Sequence, residues 1–491
     1  MFKKILTLFK QSIIFGMGTV FERLLAFLMV PLFTNTLSKE EFGIYVLWVS
    51  YIVLASPFFL LGHNSAIIRF YAASENESER KIIFSTSFWT VLIVSGFFSF
   101  ISLLLIKPLN PILFDTQVSD AVMWYLIGVL FFDSLNLLGL NVLKAENRAM
   151  SFALISIITG LAVPILTIYF IVYLKMNVEG ALLAILGVTF IRFIVLWPIV
   201  FRNRIQFKFS IVRFKELTWF GLPFIPTILG TSLMVSIDRI FLKSFYDTAT
   251  AGVYGAGCRI AMVISLLTKA FQFAWEPFIA STYQEKDAPM LYCKIFTYFS
   301  LIMTLFFMLI TLLIEDIVQI RFRQYTFLGE EYYGSLPIIP VVMLGSLFYG
   351  FYLNFIPGVY VQKKSIYFPV ITGIAALMNF VMNWLLIPIY GMQGAAWSTA
   401  VAYFAMMIGM FLLNQRFYPV PYEYGRLLKL ILVTGGVLVF YFYSQPIVLI
   451  NKVFLFLATI ILLWLVRFFE KNEIQRFQTL IKDKLWLNSS W

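Results

Sequence analysis

The sequence predicts an all-α integral membrane fold of about 14 transmembrane helices, grouped as two parallel six-helix lobes and a C-terminal helix pair. Three observations predict it: fourteen apolar stretches of spanning length, a one-sided distribution of lysine and arginine, and short motifs that recur about 210 positions apart. With 61% hydrophobic and 13% charged residues among 491, the chain is too apolar for a string of soluble domains. About 20 apolar residues of helix cross a bilayer core, and a helix satisfies its own backbone polar groups there.

Met1–Gln11 carries Lys3, Lys4 and Lys10 among Phe2, Ile5, Leu6, Leu8 and Phe9, the pattern of an amphipathic helix on the cytoplasmic surface. The next apolar stretch is too long for a signal-peptide core and no small-residue cleavage site follows, so the segment is expected to be retained. Residues 1–201 form the predicted N-terminal lobe, with spans at 12–34, 42–66, 82–106, 119–143, 152–174 and 178–201. Residues 202–216 are read as a cytoplasmic inter-lobe linker. The C-terminal lobe, 217–414, holds spans at 217–242, 251–276, 294–318, 333–358, 366–387 and 392–414. Residues 415–491 supply the last two spans, 428–448 and 453–469, and a cytoplasmic tail. Pro31, Pro57, Pro164, Pro198, Pro223 and Pro226 fall inside or at the ends of spans, where neighbouring helices or cavity water take up the freed carbonyls.

Orientation follows from the basic residues. With the N-terminus inside, 25 of the 37 lysines and arginines lie on the inner side, seven on the outer side and five within spans. That bias puts both termini of a multi-pass membrane protein in the cytoplasm. The repeat is ordered as well. Phe42-Gly43-Ile44-Tyr45 matches Ala251-Gly252-Val253-Tyr254, and Leu104-Leu105-Ile106 matches Leu312-Leu313-Ile314. Thr159-Gly160 matches Thr372-Gly373, and Glu179-Gly180-Ala181 matches Gln393-Gly394-Ala395. Offsets of 208–214 separate the pairs, as expected for a parallel duplication of six spans, a repeat known among transporters.

Composition excludes several function classes. The net charge of +12 lies at span edges rather than in a soluble basic run, so nucleic acid is not an expected partner. His63 is the only histidine, which removes histidine metal sites and catalytic triads, and it reads as a packed helix-end residue. Cys258 and Cys293 have no metal-ligand spacing and are expected as free, embedded thiols. No catalytic residue, metal site or cofactor is predicted. A coupling ion, H⁺ or Na⁺, is the one small partner left open.

The charges inside spans carry the functional argument. Arg23, Arg192, Arg239, Arg259 and Lys269 lie within apolar stretches, and each costs roughly 2.5–3.5 kcal/mol at a span centre exposed to lipid. Arg239 and Lys269 are close enough to span ends to snorkel. Arg23 is at mid-span, and Arg259 and Arg192 lie about 12 and 14 Å from the nearer face at 1.5 Å per residue. Arg23, Arg192, Arg259 and Lys269, with Arg69 at the inner mouth, are the candidate substrate-binding residues; Arg69 reads equally well as a topological anchor. Glu22, Asp133 and Asp238 are the candidate ion-coupling acids. Glu22 and Arg23 are adjacent, so they diverge by about 100° and each must be partnered from another span. A cavity richer in guanidinium than carboxylate suits an anion, and the planar fork of arginine suits pyrophosphate.

Two six-span repeats and a terminal pair resemble the MATE-like multidrug/oligosaccharidyl-lipid/polysaccharide exporter (MOP) superfamily, and within it the Wzx-like oligosaccharide flippases. The segments that carry the resemblance are Ser12–Tyr45, Asn64–Tyr71, Ser236-Ile237-Asp238-Arg239, Ala274-Trp275-Glu276-Pro277 and Gly329-Glu330-Glu331-Tyr332. The resemblance implies a non-enzymatic flippase. It would move undecaprenyl-pyrophosphate-linked oligosaccharide to the outer leaflet for surface polysaccharide biosynthesis, by alternating access around a cationic cavity. It implies partners in the polyprenyl-pyrophosphate glycan, membrane lipids and a polysaccharide polymerase, and a lipid portal between spans 1 and 8. The alternatives are a lipid II flippase or an H⁺- or Na⁺-coupled exporter of drugs or other small molecules. Glu22 beside Arg23 departs from a purely basic first span.

Overall fold

The computed structural model describes residue 16, residues 20–470 apart from 75, 115–117, 324, 363, 365, 445 and 446, and residue 473. The predicted amphipathic segment Met1–Gln11 and most of the tail lie outside the described residues. Among the described residues the fold is nearly all helical, and eleven helices are long and apolar enough to cross a membrane. One of these, α15 (Tyr367–Phe417), is two helices joined at Gly391, whose φ of 55° only glycine adopts without strain. Its halves coincide with the predicted spans 366–387 and 392–414. The last predicted span is a shorter apolar helix, α17 (Leu449–Leu465).

Residues 20–28 are helical and continue through Met29 into α1 (Val30–Thr36). Ser38 caps α2 (Lys39–Leu60) through a reciprocal pair with Glu41. The sequence predicts a span running to residue 66, but the helix stops at Leu60 and α3 (His63–Ala73) starts afresh. Leu61 and Gly62 take φ of 47° and 73°, and Gly62 lies against the backbone of Gly221, with no room for a Cβ at either glycine. Then come α4 (Glu77–Leu104), α5 (Ile106–Leu113), α6 (Asp120–Ala145), α7 (Ala149–Ile168) and α8 (Asn177–Leu196). Spans 5 and 6 end in π-helical turns, Tyr169–Tyr173 and Trp197–Phe201.

The segment read as a linker contains a helix, α9 (Ile211–Gly221), docked on α3 and α4. His63 is fully buried there between Ser87 and Thr218 hydroxyls at 3.3 Å, and Arg213 pairs with Glu79. Span 7 therefore starts later than 217, at α10 (Phe224–Phe245). Leu222 and Pro223 form the break, because proline has no N–H for the helix ladder. The chain continues through α11 (Thr248–Thr282), α12 (Ala288–Val318), a two-stranded hairpin of β1 (Arg321–Phe322) and β2 (Tyr325–Thr326), α13 (Ile339–Asn354) and α14 (Pro357–Val361). After α15 comes α16 (Tyr424–Tyr443).

Contacts divide the chain into two compact units, Met1–Gln284 with Gln319–Tyr418, and Glu285–Val318 with Pro419–Trp491. In the first unit the first pair of repeat motifs occupies matching places, at the starts of α2 and α11. Ser38 and Asp247, 209 positions apart, are both N-caps, of α2 and α11. Those helices cross at Gly43 and Gly252: a Cβ on Gly43 would strike the Thr248 carbonyl, and one on Gly252 the Lys39 carbonyl. Nearby, Asn35 Nδ2 donates to Thr326 O at 2.7 Å and its Oδ1 accepts from Thr326 N at 3.2 Å. Gly329 N donates to Thr34 Oγ1 at 3.0 Å, and Tyr332 Oη to Ser38 O at 2.8 Å. These contacts join the ends of spans 1 and 2 to the hairpin and span 8, on the side that charge topology assigns as outer.

The second unit packs α12, α16 and α17 around Leu301, Leu430, Leu463 and Phe468 near one end and Met308, Leu312 and Tyr441 near the other. Charged clusters close both ends. Lys294 bonds to Glu423, Glu470 and Glu473 at 2.6, 3.0 and 3.0 Å, and Arg426 grips both oxygens of Glu473. Lys452, 3% exposed at its side chain, meets Asp316 at 2.8 Å and Glu315 at 3.2 Å.

Candidate substrate cavity

A cavity of about 380 Å³ lies in the first unit among span 1, α2, α10, α11, α13 and α15. Helical periodicity builds one wall: Tyr254, Cys258, Met262, Ser265 and Lys269 recur at three- and four-residue steps along α11 and present one face. Arg23, Arg259 and Lys269, three of the residues expected to bind substrate, line it together with Arg239 and Asp238. Four cations against one carboxylate leave a formal charge of +3 among these residues.

The cations differ in how they are held. Arg239 does not snorkel to the interface, contrary to expectation. It pairs with Asp238 at 3.3 Å, and Asp238 also accepts from Tyr254 Oη at 2.7 Å. Distance along a helix says how far a side chain is from the surface but not which way it points, and here α10 turns Arg239 inward. Lys269, also expected within snorkelling reach, likewise faces the cavity. It donates to Gln272 at 2.8 Å, with Tyr349 at 5.7 Å from its ammonium. Arg23 donates to Ser265 Oγ at 3.1 Å, a neutral partner. Arg259 has three rings around its guanidinium, Tyr45 at 4.6 Å, Phe33 at 5.1 Å and Phe42 at 5.3 Å. Such rings attract a cation while leaving its N–H donors unspent. Among the described residues no carboxylate pairs with Arg23, Arg259 or Lys269.

Arg192 belongs to a second cluster. It donates to Thr159 Oγ1 at 2.8 and 3.2 Å and faces Glu22 at 3.8 Å, and its charge is also felt by Asp133. Glu22 and Arg23 thus point to different partners on different helices, as their adjacency requires. Arg69 is outside the cavity and lays its guanidinium on the Phe220 ring at 4.5 Å. Cys258 and Cys293 are free and buried. Among the described residues no group of three or more potential ligands is placed to hold a metal.

Ser265, Tyr349 and Tyr403 also line the cavity, and neither they nor the ring cage of Arg259 were expected from the sequence. Only the cage left a trace, since Phe42 and Tyr45 belong to the first repeat motif.

The backbone arrangement has solved counterparts. It is similar to lipid II flippase MurJ in an inward closed conformation, at a TM-score of 0.70 and 17% identity, over 96% of this chain and 99% of that one. It is similar also to an inward-facing multidrug resistance MATE family transporter of the MOP superfamily, at a TM-score of 0.60 and 17% identity, over 84% and 94%. These likenesses establish the MATE-like fold. Among curated proteins, an uncharacterized membrane protein of Haemophilus influenzae is 23% identical over 70% of this chain and 84% of its own length. The Lsg locus putative protein 1 of the same organism is 23% identical over the same shares. An uncharacterized membrane protein of Methanocaldococcus jannaschii is 22% identical over 78% of this chain and 79% of its own. The profile of the polysaccharide biosynthesis protein family matches residues 8–283, more than half of the chain. The chain is therefore a multi-pass membrane protein of the polysaccharide biosynthesis protein family.

Proposed function

We propose that the protein flips an undecaprenyl-pyrophosphate-linked oligosaccharide from the inner to the outer leaflet of the bacterial cytoplasmic membrane. The observation that carries this reading is the cavity with three cations that pair with no carboxylate among the described residues. A pyrophosphate brings the negative charge and the acceptor pairs that Arg23 and Arg259 lack. Lobes 1–201 and 217–414 would rock about this site, with the lipid tail passing between spans 1 and 8. The Arg23–Ser265 bond at 3.1 Å links those two spans, and in this mechanism it breaks as cargo enters. The outer-side contacts at Gly43, Asn35 and Gly329 are those that must part to release cargo outward. Glu22 and Asp133, sharing the field of Arg192, are the acids proposed to couple an H⁺ or Na⁺ gradient; Asp238 is already held by Arg239 and Tyr254.

The test is deletion of the gene followed by sided labelling of lipid-linked glycans. The expected result is polyprenyl-pyrophosphate oligosaccharide accumulating on the cytoplasmic side, relieved by the intact gene and not by Arg23→Ala. An unchanged pool in cells that make such a glycan and have no second flippase would overturn the reading. Lipid II carries the same pyrophosphate handle, so accumulation of lipid II instead would reassign the cargo and keep the cavity.

A further inference from the structure

A second concavity, of about 540 Å³, opens among the inner ends of α3, α4, α6 and span 6. Its lining includes Tyr71, Arg80, Lys81, Glu146, Arg148 and Arg204. We infer that it holds the phosphate of an anionic lipid headgroup from the inner leaflet. The floor is prebuilt. Tyr71 Oη donates to Glu146 Oε1 at 2.7 Å, and Arg204 Nη2 to the same oxygen at 2.6 Å. The π-turn Trp197–Phe201 swings the chain so that Arg204 Nη1 caps the Val200 carbonyl at 3.1 Å. π-Turns of this kind recur at functional sites.

That floor uses up the Glu146 charge. Arg148 is left at 3.7 Å from the other Glu146 oxygen, a loose pair. Lys81 meets Glu77 at 3.2 Å on an exposed helix face, where such a pair contributes little. Arg80 spends only Nε, on Ser74 O at 2.7 Å, and its guanidinium rests over the Tyr71 ring at 5.6 Å. Its two terminal nitrogens have no acceptor among the described residues. Arg80, Lys81 and Arg148 thus present donors, and with Arg204 they leave two units of formal charge beyond the lining acids Glu77 and Glu146. The ligand is a lipid because of what flanks the site. Met150, Leu154 and Trp197, within a few residues of Arg148 and Ile199, are exposed, and on a spanning helix such apolar surface faces acyl chains. The positive-inside orientation puts the pocket at the leaflet where headgroups supply phosphate.

The experiment is native mass spectrometry of the full-length protein released from vesicles of phosphatidylglycerol and phosphatidylcholine. The wild type should retain one phosphatidylglycerol in preference to phosphatidylcholine, and Arg80→Gln with Arg148→Gln should lower that occupancy about tenfold. Arg148→Gln alone, at a half-exposed side chain, keeps the test open should the double variant fail to fold, and should give a smaller loss. Equal retention by wild type and the variant that folds, or equal retention of both lipids, would overturn the inference. Displacement of the bound lipid by inorganic phosphate would assign the pocket to a free anion instead.

Discussion

Buried and half-buried cations occur in both compact units of this protein, and three in the first are held in the opposite way to those in the second. In the second unit Lys294, Arg426 and Lys452 each meet at least two carboxylates. In the first, Arg23, Arg259 and Lys269 meet a hydroxyl, an amide and aromatic rings. A buried cation must be compensated. Where the chain supplies the acids, the cation braces helices; where it supplies polarizable but uncharged neighbours, we propose that the compensation comes from the cargo.

Five measurements sharpen or break that contrast. The largest effect is expected for Arg259→Ala and Arg23→Ala: transport in liposomes falls by about a hundredfold, the scale of two to three kcal/mol of lost charge-assisted bonding, while thermal stability stays within about 1 kcal/mol. Normal transport by both would make the cavity cations scaffolding. Arg426→Ala should do the reverse, costing on the order of 2–3 kcal/mol in stability because Glu473 loses a bidentate partner, with transport per folded molecule unchanged. Replacing the pair with apolar residues, Arg426→Met with Glu473→Leu, should recover much of that loss; no recovery would mean the cluster does more than brace. Gly43→Ala should cost about 1–3 kcal/mol, since the added methyl meets backbone rather than a side chain that can move. If the Gly43→Ala variant melts together with the wild type, α2 and α11 do not press against each other there.

The smallest effect is acidification. Burial works against ionisation of Glu473, but bonds from Arg426, the Glu470 backbone and Lys294 outweigh it and hold its pKa down to about 2, from an ordinary 4.5. Glu423 is likewise lowered: burial opposes, and Lys294, Thr297 and Arg426 prevail. The folded pKa is the lower one, so this stabilisation is complete above pH 4.5 and is lost as pH falls towards 2. Melting curves should show the Arg426→Ala variant losing less than the wild type across that window; parallel losses would detach the cluster from the acid response.

Span identity was legible because bilayer thickness imposes a length on apolar sequence, and most described helices lie within a few residues of the predicted spans. The breaks were not legible. Leu61-Gly62 and Leu222-Pro223 interrupt stretches that read as single spans, and the close approach of Gly62 to Gly221 accounts for the first. For the site, the sequence carried the kind of charge and its depth but not its azimuth. Arg23, Arg259 and Lys269 share one cavity, Arg192 turns to Glu22, and Arg69 to Phe220. Nor could it separate the first six-span copy from the second in contact terms: α12 lies in the second predicted lobe, yet it packs with the C-terminal pair.

The crossing of α2 and α11 has a consequence for ancestry. Gly43 and Gly252 occupy matching places in the two copies and lie against one another's helices. A position that meets its own counterpart sits on the twofold axis of an isologous interface. If the two halves arose from one six-span unit, one glycine on that unit would have served both sides of a homodimer. A single substitution then would have struck the contact twice, whereas in the fused chain each copy answers only for itself. Val46 against Gly255, 209 positions apart and unlike, is a contact of that kind, where each side differs from its counterpart.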